Sequence, residues 1–154
     1  MPGQATVTIN DNQWNVGVAS TYAELTTGLG GIESIPAGTG MLFILEQERI
    51  VTVTAEDMLF PVSVIFIGEN LQVTEVALLL APGDQGTTSL PCRYFLEVNV
   101  GEADDIDPGD PVNIVFTELP QTADGMASLV TIAGALMLGV MMATMGKAVA
   151  DTMI

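Results

Sequence analysis

Three aspartates, Asp105, Asp107 and Asp110, lie close together in the acidic run from Glu102 to Asp110. Carboxylates at this spacing offer several oxygen ligands to a hard cation such as Ca²⁺ from one loop. The run does not follow the EF-hand pattern, having no glycine at the sixth loop position and no glutamate at the twelfth. Asp107-Pro108-Gly109-Asp110 also reads as a β-turn, and that turn chemistry outweighs the metal reading. Glu56 and Asp57 are adjacent, so strand alternation would send them to opposite faces. Catalysis by paired carboxylates needs two groups that converge on a substrate, and a solvated edge is the better reading here. Cys92 precedes Arg93, and a neighbouring cation lowers a thiol pKa. The chain has no histidine, however, and so no usual base for a thiol or serine nucleophile. Cys92 therefore reads as a lone, buried or half-buried cysteine. Arg93 and Glu97, four apart in a strand, share a face and suggest a modest surface ion pair. Ser20 and Ser128 have no activating neighbour, and Gly28-Leu29-Gly30-Gly31 lacks the spacing and lysine of a phosphate loop. No catalytic constellation emerges, and the only cofactor reading is Ca²⁺ at the aspartates.

The elements that would position these residues are mostly short strands. Ala5, Val7 and Ile9 alternate with polar residues, and Trp14, Val16 and Val18 continue the alternation after Asp11-Asn12, predicting a hairpin. Thr21 to Leu29 predicts a short helix, with Thr21 as cap, Glu24 three residues on, and Gly28 and Gly30 at its end. Met41–Leu45 and Ile50–Thr54 read as strands flanking a polar turn at Glu46-Gln47-Glu48. Pro61–Ile67 and Leu71–Leu80 follow, then a Gly/Thr/Pro loop over Ala81–Ser89. Arg93–Val100 and Val112–Thr117 are the last strands. Strands this short, with turn signals this frequent, predict a mostly β fold: a small antiparallel barrel or sandwich with one short helix.

Charge and hydropathy divide the chain in two. Nearly all of the 19 acidic residues precede residue 125, with only Arg49 and Arg93 against them, while Lys147 and Asp151 cancel in the tail. A net charge of −16 works against nucleic-acid binding, which needs clustered Lys and Arg. One cysteine excludes an internal disulfide and a thiolate zinc cluster. The start, MPGQATVTIN, has neither a basic n-region nor an apolar h-region, so it predicts no secretory signal.

From Met126 to Met145 there is no charged side chain, and a helix of this length covers roughly 30 Å, about one hydrocarbon core. The expected organisation is a β domain over 1–120, a linker over 121–125 and an apolar transmembrane helix over 126–150. Ala127, Thr131, Ala135, Gly139 and Ala143 recur every four residues, giving a face of small side chains on which membrane helices pack closely.

In order and spacing, several segments resemble the family catalogued as domain of unknown function 192 (uncharacterised protein family 0127). They are Val18-Ala19, Glu24, Gly28-Leu29, Gly40-Met41-Leu42-Phe43, Pro61 with Val64-Ile65-Phe66-Ile67, Ala81-Pro82, Arg93-Tyr94-Phe95-Leu96-Glu97, Gly101, Ile106 and Gly109-Asp110. The resemblance implies a small, mostly β barrel-like fold with a short helix in an exported or membrane-linked protein, and it carries no agreed activity. Family members commonly have a Phe-Trp-Met-Lys-Asn-Thr stretch before the proline, a Leu-Asp pair after it, and a methionine after Gly-Leu. Here Asp57, Met58, Ser63 and Gly30 stand at the Asn, Thr, Asp and Met positions, as in a degenerate copy.

The resulting expectation is a non-enzymatic structural or interaction subunit. It would be held by its C-terminal helix in a membrane-associated or virion-type assembly, with protein partners, a membrane and no nucleic acid. The alternative is a small-ligand or cation-binding domain tethered to a membrane, using Asp105, Asp107, Asp110 and Asp57. A hydrolase using carboxylates ranks last. Under the first expectation Gly139→Leu weakens tail-mediated association, read as a loss of assembly mass in detergent solution; an unchanged mass would count against the small-residue face.

Overall fold

The structure, a computed structural model, describes residues 3–119. Nine strands and one helix follow in order: β1 (Gly3–Ile9), β2 (Asn12–Ala19), α1 (Tyr22–Thr27), β3 (Thr39–Arg49), β4 (Thr52–Thr54), β5 (Val62–Ile67), β6 (Val73–Leu80), β7 (Gln85–Thr87), β8 (Cys92–Asn99) and β9 (Val112–Glu118). Seven strands form one sheet in the order β6-β5-β8-β3-β2-β1-β9, and β4 pairs with β7 in a separate two-stranded sheet.

The ends of the large sheet approach each other. Gln72 and Pro111 form an antiparallel bridge, the Val73 N–H donates to the Asp110 carbonyl at 2.9 Å, and the Gly109 N–H donates to the Val73 carbonyl at 2.7 Å. These contacts join the two ends of the sheet at one point and give the mostly β fold expected from the sequence a barrel-like form.

Apolar residues on both faces of β3, β5 and β8 divide the core into two clusters. Leu42, Ile44, Ile65, Ile67, Tyr94, Leu96 and Val98 join Val7, Trp14 and Val18 in one cluster. Phe43, Leu45, Val62, Val64, Phe66 and Phe95 pack in the other with Leu29, Val53 and Met58. Alternation thus gives each central strand an inward and an outward apolar face. The outward one is covered by the segments around α1 and β4.

Several elements differ from the sequence reading. Glu46–Glu48 continue β3 as exposed strand residues rather than forming a turn, because β3 runs on to an irregular pairing of Arg49 with Cys92. The loop over Ala81–Ser89 contains β7, whose Gln85–Thr87 register with Thr52–Thr54. One pair, β2 with β3, is parallel. The crossover between them carries α1, as a parallel connection requires. That helix has its capping box: the Glu24 N–H donates to Thr21 Oγ1 at 3.2 Å, and the Thr21 N–H donates to Glu24 Oε2 at 3.1 Å.

The apolar segment 126–150 and its small-residue positions lie outside the described residues. Among the described residues no helix is long and apolar enough to cross a membrane.

One carboxylate fastens three segments near the barrel end. Glu102 Oε1 accepts from Trp14 Nε1 at 2.9 Å, Gly38 N–H approaches both its oxygens at 3.4 Å, and Asn99 Nδ2 reaches Oε2 at 3.5 Å. Trp14 is buried, so its indole N–H has no alternative in water. Glu102→Ala is expected to cost about 1–3 kcal/mol, the penalty for orphaning buried donors, measured as a lower urea midpoint with an unchanged slope.

Candidate functional site

Glu97 is the chemically unusual residue of this barrel. It lies in β8, between Met41 of β3 and Val64 of β5 in the sheet register. Alternation places it on the same face as Phe95, under the outer cover. Only 5% of its surface is exposed, and Oε2 has no hydrogen-bond partner among the described residues. Burial pushes its carboxyl up from an ordinary 4.5 to about 7. Desolvation is the cause, because no nearby opposite charge offsets it.

Glu97 opens onto a cavity of about 270 Å³. Phe43 and Phe95 stack beside it with ring centroids 4.4 Å apart and planes 8° from parallel. The end of α1 and the residues after it, Thr26 to Gly30, make one wall; Thr52 and Thr54 of β4 and Asp57 with Met58 make the other. Gly28 ends α1 with φ +48°, and a Cβ there would stand 3.0 Å from the Phe43 ring. A side chain at 28 would thus be strained twice over, by backbone and by contact.

The turn carrying Asp57 is fixed on two sides. The Gly31 N–H donates to the Asp57 carbonyl at 3.0 Å, and the Gly83 N–H donates to the Ala55 carbonyl at 2.8 Å. Glu56 and Asp57 therefore sit in a turn after β4, not in a strand. The carboxylate sharing a cavity with Asp57 is Glu97, forty residues on, which the sequence could not pair with it.

Other expectations are redistributed. Arg93 does not pair with Glu97; its Nη1 lies 3.3 Å from Glu69 Oε1. Both Arg93 and Glu97 are buried, so the expected surface pair does not form. Cys92 is a free, buried cysteine, as expected from the sequence, and burial with the nearby Glu75 and Glu48 carboxylates pushes its thiol up to about 11.

The aspartates proposed as metal ligands serve other partners. Asp105 accepts twice from Asn12 Nδ2, at 3.0 and 2.9 Å. Asp110 Oδ2 accepts from the Asp107 N–H at 2.8 Å and from Asn10 Nδ2 at 2.9 Å, bonds that hold its carboxyl below the usual range. Pro108 and Gly109, with Gly109 at φ +94°, occupy the turn expected over Asp107–Asp110. Among the described residues, no three acidic, cysteine or histidine side chains gather into a group able to hold a metal ion.

Comparison with known proteins places this geometry in a family. The model for domain of unknown function 192, described as uncharacterized ACR, matches residues 5–114. The chain belongs to the domain of unknown function 192 family. A protein of unknown function from Novosphingobium aromaticivorans DSM 12444 has a similar structure, with a TM-score of 0.66 and 27% identity over 71% of this chain and 83% of that one. A Sinorhizobium meliloti 1021 protein, provisionally called a transcription regulator, shares the fold with a TM-score of 0.67 and 19% identity, over 73% and 93% of the two chains. No curated protein matches.

Of the four positions expected from the sequence to differ from the family's usual residues, Gly30, Asp57 and Met58 line the cavity. The fourth, Ser63, is buried and donates its hydroxyl to the Leu78 carbonyl at 2.7 Å.

The raised carboxyl of Glu97 makes stability depend on pH with a definite sign. Between about 4.5 and about 7 the folded state holds a proton that the unfolded state has lost, so Glu97's contribution is full below that window and disappears as pH rises through it. The difference is on the order of 3 kcal/mol at about 1.4 kcal/mol per unit. Glu97→Gln is expected to remove this fall, so that its urea-derived stability exceeds the parent's at pH 8 but not at pH 4. Parallel profiles for the two proteins would refute the assignment.

Proposed function

We propose that the barrel is a small-ligand-binding domain whose site is the cavity between α1, β4 and β8. The observation that carries this reading is the buried Glu97 carboxyl on that cavity, whose Oε2 has no hydrogen-bond partner among the described residues. A buried polar group left unpaired costs about 1–3 kcal/mol, and a ligand group that completes it recovers that cost. At about 270 Å³ the space is at the small end for such pockets, which suits a compact molecule.

Hydrolysis is the second reading, because Asp57 and Glu97 share one cavity in unequal surroundings. Two carboxyl groups on one cavity, one of them buried, are a starting point for acid–base chemistry. Binding ranks first because neither carboxyl is hydrogen-bonded to a group that would orient it for proton transfer.

The tail supports a tether. Its charge-free run from Met126 to Met145 and its small-residue face favour a membrane-anchored subunit with protein partners, with the barrel held as its binding module. The residues Gly30, Asp57, Met58 and Ser63 support a copy that has largely lost the family's usual polar set.

Amide-resolved NMR of residues 1–120 against a panel of small amines, amides, sugars and acids tests the binding reading. Shifts should gather on α1, β4 and the Asp57 turn for at least one compound, and Thr27→Trp, which adds bulk at the cavity rim, should abolish them. Shifts confined to other faces of the barrel, or none, would sink it; release of product from a panel member would promote the hydrolytic reading instead.

A further inference from the structure

We propose that the cavity accepts a primary organic ammonium group, with the Glu97 carboxylate as its main acceptor, Asp57 as a second acidic group on the wall, and the Phe43 and Phe95 rings against its carbon chain. This rests on the cavity being a binding site and names the chemistry it selects.

Charge comes first. Among the described residues, Asp57 and Glu97 are the only ionisable side chains on the cavity wall, and neither has a basic partner there. Of the two basic residues among those described, Arg93 is taken by Glu69, and Arg49 lies on the exposed end of β3. An anionic ligand would bring a third negative charge into a space without a cation. A cationic one supplies what Glu97 lacks, since a desolvated carboxylate is stabilised by an adjacent opposite charge.

The donor set separates an ammonium from a metal ion. Ca²⁺ takes six to eight oxygen ligands and Mg²⁺ demands a near-octahedral shell. This wall offers two carboxylates set among threonine hydroxyls and aromatic carbon. An ammonium has three N–H donors and a hydrocarbon stem. The two carboxylates supply acceptors for the first need, and the stacked phenylalanines supply apolar surface for the second. Shape agrees: at about 30 Å³ per water, the cavity holds roughly nine water volumes, enough for a short alkylamine.

The test uses n-butylammonium, with 1-pentanol as the neutral match and pentanoate as the anionic one, titrated by NMR into the full chain in detergent. Butylammonium should bind in the cavity and the other two should not. Raising the pH from about 5.5 to about 8.5 should strengthen binding roughly thirtyfold, the change in the ionised fraction of a group titrating near 7. Glu97→Gln should lose that dependence and on the order of tenfold or more in affinity at the higher pH. Asp57→Asn should weaken binding while keeping the pH dependence, which a merely structural role for Glu97 would not produce. A lysine side chain ends in the same group, so N-acetyl-lysine methylamide is titrated alongside. Tighter binding of one than the other assigns the source, free amine or protein side chain. Equal binding of 1-pentanol, or binding that strengthens as pH falls, would overturn the ammonium assignment while leaving a ligand site. Absence of cavity shifts with every panel compound would remove the site as well.

Discussion

A carboxyl group in the middle of a doubly covered strand is the constraint on which the site depends. β8 is hydrogen-bonded to β3 on one side and β5 on the other, and seven of its eight residues are buried. Its inward face meets the barrel core and its outward face meets the cover. Water therefore cannot solvate Glu97 as it would a surface acid. Ionising a carboxyl in such surroundings takes up an appreciable share of a marginally stable domain's stability. The group consequently remains protonated toward neutral pH, and the space in front of it is the route by which a partner can reach it.

The cover is held so that this space persists. The Thr21–Glu24 capping box fixes the start of α1, and Gly28 turns the chain over the Phe43 ring. Asp57 is carried on a turn bonded to Gly31 on one side and tied through Ala55 to Gly83 on the other. The β4–β7 ladder, three residues on each side, places Thr52 and Thr54 along the wall. Leu29, Val53 and Met58 are buried against Phe43 and Phe95, so apolar packing surrounds the cavity without filling it.

The parts of the fold written in local signals were legible. Alternation from Ala5 to Val18 gave the hairpin, Thr21 with Glu24 gave the helix start, and Pro108-Gly109 gave the turn before the last strand. β7 was hidden because Gln85-Gly86-Thr87 has no apolar alternation, and it exists only by pairing with β4. Glu97 was misread for a related reason. Four-residue spacing places it on the same face as Arg93, but sequence distance says nothing about Glu69, which takes the arginine. A usable signal was present: Tyr94, Phe95, Leu96 and Val98 supply apolar side chains to both faces of one short strand. A strand apolar on both faces is buried on both, so an acid within it warrants a question about its partner. The pairing of Asp57 with that acid across one cavity is tertiary and had no local trace.

The two-part core also has an evolutionary consequence. The barrel interior, built from Val7, Trp14, Leu42, Ile65 and Leu96, contributes no wall residue to the cavity. The wall comes from the outward faces of β3 and β8, the end of α1, β4 and one turn. Substitutions at Thr26, Thr52, Thr54 or Asp57 fall on exposed positions and leave interior packing intact. Relatives sharing this fold can therefore diverge in what they recognise by drift at the exposed wall positions, while selection for folding acts on the two buried clusters.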